Sequence, residues 1–397
     1  MLLRLVGRRF LIGAAAVSAI ASLATLAHVP AYARATQAEI AAYQHQLRIY
    51  QQARHSFEVE AEAYWTAIAD KRRSRIAKRR NGQAITLNDY VLSQPPVYAG
   101  PKRPVDPDPQ PGPPPVERRP LPVVSDFLEA AAAHYQFQPR RPASEVEFKR
   151  AYARVAAAYG LTREQAVRVY AFETGGNGTH DMQSGLSSNR PDARAISTAV
   201  GYNQLLTANS VNLMAEQGPN IIAALSQRAA RASGAERMVL DRKIAVLKRM
   251  VAVARSVPAS WSEQQKLAAT PPGLGIHAML LDVDVGPLLQ THKLLTSVVF
   301  AQRKGHPNRL TAAELEMMNL TGDGNGFDMV TMPAAMRERV PTSNFFQRSG
   351  YERNPVAIRH NTVAKLLAIT DERMDVNGQK PGARELAAAF PTAMSSN

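Results

Sequence analysis

A proline-rich segment over residues 95–122 limits the folds that this 397-residue chain can adopt. The segment holds twelve of the 27 prolines of the chain, in runs such as VDPDPQPGPPPVERRP. Proline lacks a backbone N–H and has a fixed φ, so the segment can neither pair into a sheet nor continue a helix. The sequence therefore predicts an extended linker between an N-terminal module, residues 34–94, and a C-terminal domain, residues 123–397.

Residues 1–33 have the pattern of a secretion signal. Three arginines lie within the first nine residues, an uncharged stretch rich in Ala, Leu, Ile and Val follows, and the motif AYA at 31–33 is a small-residue cleavage pattern. An uncleaved membrane anchor is the alternative, because the apolar stretch is just long enough to span a bilayer. Export of a chain without cysteine indicates the bacterial envelope, and we expect the periplasm.

The charge and cysteine content narrow the function classes. Lysine and arginine exceed aspartate and glutamate by 15, and a basic surface favours anionic partners. The predicted helical N-terminal module contains the run KRRSRIAKRR, Lys71–Arg80, which either contacts anionic lipid or wall polymer or is a solvated helix end. Export makes nucleic acid an unexpected partner. The absence of cysteine excludes disulfides, thiolate metal sites and thiol catalysis.

The C-terminal domain has the residue pattern of a mainly helical fold. One apolar stripe at helical spacing, which predicts a core-facing helix, comprises Leu240, Ile244, Leu247, Val251 and Ala254. The sequence TREQ at 162–165 is a capping box that predicts a helix start, and the helix is expected to stop at Gly175 and Gly176. No strand–helix–strand alternation and no internal repeat is present. The polar stretch over 175–200 can hold a short hairpin.

Glu173 lies at the predicted C-terminal end of this helix, directly before a glycine-rich break in the sequence VYAFETGGNG. The break leaves the side chain free to project into a cleft. A helix C-terminus and apolar neighbours such as Phe172 are expected to raise the pKa of a carboxyl, as a general acid requires. For an isolated glutamate, a solvated carboxylate at a helix end is the alternative.

Three sequence elements together resemble the lytic transglycosylases of the lysozyme-like superfamily. In that family one helix ends in Glu-Ser-Gly-Gly-Asn, the motif Ala-x-Gly-Leu-Met-Gln follows, and a later helix ends in Ala-Tyr-Asn-Ala-Gly-x-Gly. The corresponding elements here are ETGGN at 173–177, AVGYNQ at 199–204 and MMNLTGDG at 317–324. Thr174 stands in place of the serine of the first motif, and Met318 in place of the tyrosine of the third.

The resemblance implies a lysozyme-like helical domain with a small hairpin or irregular lobe and a helical insertion at about 225–310. It implies that Glu173 protonates the bond between N-acetylmuramic acid and N-acetylglucosamine, and then acts as base on the muramic C6 hydroxyl to give 1,6-anhydro products. Peptidoglycan is then the substrate, and no cofactor is expected. The substrate-binding residues that it implies are Thr174, Gly201, Tyr202, Asn203, Gln204 and Asn319.

Two other functions stay open at this point. A glycosidase with two carboxylates needs the second about 5–9.5 Å from the acid. Asp181 and Asp192 lie between the first two motifs and are the candidates for that position, so a hydrolytic muramidase is one alternative. A non-catalytic peptidoglycan-binding or scaffold protein that keeps the cleft is the other.

No metal site is predicted. The segment 323–328, DGNGFD, resembles part of a calcium loop, but Ala334 stands where an EF-hand has its closing glutamate. The spacing of His277, Asp282, Asp284 and His292 matches no metal-binding pattern, and buried or surface structural roles are expected for them.

Overall fold

The computed structural model describes residues 35–109, 120–186 and 194–391. The predicted signal segment, residues 110–119 of the predicted linker, and Asp192 lie outside these ranges. The described residues are mainly helical and form no β-strand, only isolated β-bridges, which confirms the predicted helical class. No helix in these ranges combines the length and the apolar character that a bilayer crossing requires.

The chain divides into two compact units. Of the described residues, 35–54 and 99–109 belong to the smaller unit, and 55–98, 120–186 and 194–391 belong to the larger. In the described part of the smaller unit, residues 37–54 are helical and residues 99–109 are irregular. The predicted N-terminal module, residues 34–94, includes residues of both units.

The larger unit contains nearly all of the helices. The first helix of the described chain is α1 (Gln37–Arg80). The next seven are α2 (Val124–Tyr135), α3 (Glu145–Ala158), α4 (Arg163–Thr174), α5 (Thr207–Arg231), α6 (Gly234–Ala254), α7 (Trp261–Ala268) and α8 (Pro271–His277). The last eight are α9 (Gly286–Arg303), α10 (Ala312–Thr321), α11 (Asp323–Val330), α12 (Ala334–Arg337), α13 (Arg348–Glu352), α14 (Pro355–Arg359), α15 (Val363–Gly378) and α16 (Pro381–Ala389). Short 3₁₀ turns occupy Leu87–Asp89, Ala278–Leu281 and Thr342–Phe345.

Two apolar cores organise this unit. Helices α3, α4, α10, α15 and α16 bury their apolar faces in the first core. Helices α2, α5, α6 and α8 form the second core, in which the predicted stripe on α6 is buried as expected. Helix α9 contributes Leu294 to the first core and Leu289 to the second. Helix α9 therefore lies between the two cores and contacts α5 on one side and α10 on the other.

A buried arginine attaches the C-terminal half of α1 to this unit. Arg75 is fully buried, its Nε lies 3.2 Å from Asp328 Oδ2, and its Nη1 donates to the backbone oxygen of Asp89 at 2.9 Å. Arg79 also pairs with Asp328. The basic run Lys71–Arg80 is therefore partly committed to ion pairs within the chain, which is why residues 55–80 group with the larger unit.

Candidate active site

Helix α4 positions Glu173. The hydroxyl of Thr162 accepts a hydrogen bond from Gln165 N at 3.0 Å, and Gln165 Oε1 accepts one from Thr162 N at 3.1 Å, so the predicted capping box is confirmed. At the other end, Gly175 has a φ of +67°, a left-handed conformation that ends the helix. Glu173 consequently sits in the last turn of α4, where it is partly buried.

The carboxyl of Glu173 contacts α10. Asn319 Nδ2 donates to Glu173 Oε1 at 3.0 Å and also lies 3.4 Å from Glu316 Oε2. The carboxyls of Glu173 and Glu316 therefore lie close enough for each to influence the ionisation of the other, and the charge of Lys293 on α9 acts on both. The structure thus brings together Glu173 and Asn319, which are 146 residues apart in the chain, as the sequence motifs predict.

Burial dominates the electrostatics of this cluster. Loss of hydration raises the pKa of Glu173 to about 7, and the hydrogen bonds from Glu316 and Asn319 and the charge of Lys293 limit the rise. Burial and the charge of Glu173 raise the pKa of Glu316 well above its usual range. Burial lowers the pKa of Lys293. A carboxyl with a pKa near 7 can donate and accept a proton at neutral pH.

An open cleft of about 450 Å³ adjoins the cluster. Lys293 and Asn319 both line it, so the groups that contact Glu173 form part of its wall. The opposite wall comes from α5 and α7 and includes Asn212, Glu216 and Trp261, of which the last is 52% exposed. A second cleft of about 490 Å³ shares Glu216, Thr296 and Asp323 with the first, and the two form a continuous groove.

The residues after Glu173 have structural partners. The hydroxyl of Thr174 donates to the backbone oxygen of Tyr170 at 2.7 Å, and Thr174 is buried. Asn177 Oδ1 accepts a hydrogen bond from the backbone N–H of Gly382 at 3.1 Å. The Thr174 hydroxyl therefore bonds to its own helix and does not face the cleft. The Gly-Gly-Asn segment after Glu173 contacts the first turn of α16 through Asn177.

Tyr202, expected at the substrate, lies in the first core. It is fully buried, its hydroxyl donates to Glu145, and the rings of Phe148, Tyr152 and Tyr170 pack against its edge and faces with centroids 4.7–5.4 Å away. Burial and the neighbouring Glu145 charge raise the pKa of Tyr202 above its usual range. The buried ring has no face on which a sugar can stack.

The rest of the second motif forms a tight turn held by α9. Asn203 donates from Nδ2 to the backbone oxygen of Gln290 at 2.8 Å, and its backbone N–H donates to Gln290 Oε1 at 3.0 Å. Gly201 has a φ of +85°, and a side chain there would overlap Gln290. Gln204 donates to Met182 O and Gly201 O. This turn anchors α9, which carries Lys293, instead of covering Glu173.

The remaining acidic candidates are paired elsewhere. Asp181 accepts from the hydroxyl of Thr179 and pairs with Arg141. Burial favours the neutral form of Asp181, but the Thr179 hydrogen bond and the nearby positive charges outweigh it and lower the pKa. In the segment 323–328, Asp323 accepts a hydrogen bond from Ser297 Oγ at 2.6 Å and Asp328 pairs with Arg75.

Three residues of the site were missed by the sequence reasoning: Glu316, Lys293 and Trp261. Glu316 lies in the apolar stretch Leu315–Met318, where a carboxylate three positions before Asn319 was a usable signal. Trp261 is one of only two tryptophans in the chain. Lys293 carries no local signal, because only the packing of α9 beneath α10 brings it to Glu173.

Comparison of the chain with protein-family models, with curated proteins and with solved structures yields no match. The function is therefore inferred from the geometry around Glu173 and from the three sequence motifs.

Proposed function

We propose that this protein is a peptidoglycan lytic transglycosylase that uses Glu173 as its acid and base. The observation that carries the proposal is the partly buried carboxyl of Glu173, with its pKa raised to about 7, which is held by Asn319, a residue that lines an open cleft. An enzyme that forms an anhydro product needs one group that gives a proton and then takes one back. A pKa near neutrality suits both steps.

The chemistry follows from that one group. Glu173 gives its proton to the oxygen of the glycosidic bond, and the bond between that oxygen and C1 of the muramic residue breaks. The C6 oxygen of the same sugar attacks C1, and its proton passes to Glu173. The enzyme returns to its starting state, and no water is consumed. The amide of Asn319 holds the Glu173 carboxyl in place through both transfers.

Several features of the groove support a glycan as the substrate. The two adjoining clefts suit a polymer better than a small molecule. Trp261 offers an exposed ring for stacking on a sugar, and Asn212 and Glu216 offer hydrogen-bonding groups for hydroxyl and acetamido substituents. Together with the signal-like segment at 1–33, these features support cell-wall peptidoglycan in the periplasm.

The test is digestion of purified sacculi by the purified chain, followed by mass spectrometry of the released muropeptides. The proposal predicts products one water lighter than those of a hydrolase. The matched control is Glu164→Gln in the exposed first turn of α4, which should leave release unchanged. Sacculus binding without any release would refute the proposal and favour a non-catalytic wall-binding protein.

Hydrolysis is the second candidate, because Asp323 lines the same cleft as Asn319 and Lys293. A carboxylate there can activate a water molecule on the far side of the sugar from Glu173. Hydrated products that disappear in Asp323→Asn would establish this function instead. We favour transglycosylation because the hydroxyl of Ser297 already holds the Asp323 carboxylate.

A further inference from the structure

Glu316 shares the Asn319 side chain with Glu173 and has no role in the chemistry above. It is only 1% exposed, on α10 one turn before Asn319. The amide nitrogen of Asn319 is within hydrogen-bonding distance of both carboxyls, at 3.0 Å from Glu173 Oε1 and 3.4 Å from Glu316 Oε2. One amide group therefore holds two acidic side chains side by side.

Two carboxyls held by one amide nitrogen compete for protons. If both were ionised, two negative charges would lie side by side in a largely buried site, so retention of one hydrogen is favoured, and that hydrogen lets one carboxyl donate to the other. The other charged groups facing this cluster are Lys293 on α9 and Asp323 at the start of α11. One lysine cannot balance three carboxylates in a buried site, so the pair retains a proton at neutral pH.

The difference in burial decides where the proton rests. Glu316 is almost fully buried, whereas Glu173 is partly exposed. Burial penalises the charged form more strongly at the more buried group. When the pair holds one proton, Glu316 is therefore neutral and donates its hydrogen bond to the ionised carboxylate of Glu173.

We propose that Glu316 is a positioning residue that shares one proton with Glu173 and passes it to Glu173 when the cleft is occupied. This inference rests on the proposed function. The proton moves from Glu316 to Glu173 along their shared hydrogen bond, and the new Glu316 carboxylate is balanced by Lys293. Glu173 gives that proton to the glycosidic oxygen, recovers one from the C6 hydroxyl, and returns it to Glu316, so the proton count is unchanged.

The consequence is a wider pH range for the acid. As long as Glu173 and Glu316 together hold one proton, that proton can move to Glu173 and be given to the substrate. Activity therefore falls only at a pH at which both carboxyls are ionised. In Glu316→Gln an amide still donates to Glu173, but no second proton is available. The alkaline limb of the rate–pH profile should then move down by at least about one pH unit, since contacting carboxyls interact by more than that. A purely structural partner would lower the rate at every pH without moving the limb.

The experiment measures the titration of the pair in the full chain, labelled with ¹³C at the glutamate carboxyls, without substrate. Nuclear magnetic resonance should detect two linked steps for Glu173 and Glu316 in the wild type, and one step for Glu173 in Glu316→Gln. Independent titration of the two groups in the wild type would overturn the proposal, even if Glu316→Gln failed to fold.

The second readout is the rate–pH profile of sacculus digestion for the wild type, Glu316→Gln and the exposed control Glu372→Gln on α15. The alkaline limb should shift only in Glu316→Gln, and an unshifted limb in that variant would overturn the positioning role. If the wild type releases no products at any pH, the proposed function fails and the proton transfer to substrate fails with it. The ligand-free titration still decides whether the proton is shared.

Discussion

Replacement of Glu173 by glutamine should stabilise the folded protein at alkaline pH. The folded state raises the pKa of Glu173 from 4.5 to about 7, chiefly through burial. A raised carboxyl pKa means that its contribution to stability is fully present below pH 4.5 and is lost as the pH rises through 7. Glutamine has the same shape and does not titrate, so the variant avoids this loss.

The magnitude follows from the shift. At 1.36 kcal/mol per pKa unit, a rise from 4.5 to about 7 corresponds to about 3 kcal/mol. Glu173 is partly exposed to solvent, which reduces the expected gain to about 2 kcal/mol. This stabilisation of Glu173→Gln relative to the wild type should be present at pH 8 and absent at pH 4.5.

The assay is urea unfolding at both pH values, with Glu164→Gln as the exposed control on the same helix. The free energy of unfolding of the control should follow that of the wild type at each pH. An equal effect of Glu173→Gln at pH 4.5 and pH 8 would refute the reasoning, because it would mean that Glu173 ionises in the folded state as easily as in the unfolded chain.

Two further predictions concern the packing of the larger unit. Lys243→Met should lower the free energy of unfolding by about 3–5 kcal/mol, because it leaves the buried carboxylates of Asp282 and Asp284 without the cation they share. The control Lys266→Met, at an exposed lysine, should have little effect. Thermal unfolding followed by circular dichroism measures both variants. Gly201→Ala should lower the free energy of unfolding by at least about 2 kcal/mol, because the cost of a left-handed alanine adds to that of its overlap with Gln290. Gly305 has a similar φ but open space around it, so Gly305→Ala should lower the free energy of unfolding by about 1 kcal/mol. Equal losses for the two glycine variants would mean that the turn does not pack against α9 as described.

The fold could be predicted where the signal is local. The capping box at Thr162 and Gln165, the glycine stop after Glu173, and the apolar stripe of α6 each determine structure within a few residues. The burial of Arg75 could not be predicted, because its partner Asp328 lies 253 residues away and a basic run gives no sign that one of its members is internal. The grouping of residues 55–98 with the larger unit follows from that long-range contact.

The candidate site could be predicted only in part, for the same reason. The contact between Glu173 and Asn319 followed from motif order, but Glu316 and Lys293 reach the site through the packing of α10 on α9. Tyr202 was expected at the substrate because the motif gives its position in the sequence and not its direction. The aromatic cluster around it, together with Glu145, draws the side chain into the core.

The most direct test of the account is the rate of muropeptide release from sacculi by Glu173→Gln. The account predicts a loss of about 10²–10⁴-fold or more, with unchanged circular dichroism and unchanged sedimentation with sacculi, because only the transferable proton is removed. Release at the wild-type rate from a correctly folded Glu173→Gln would contradict the assignment of this carboxyl as the acid.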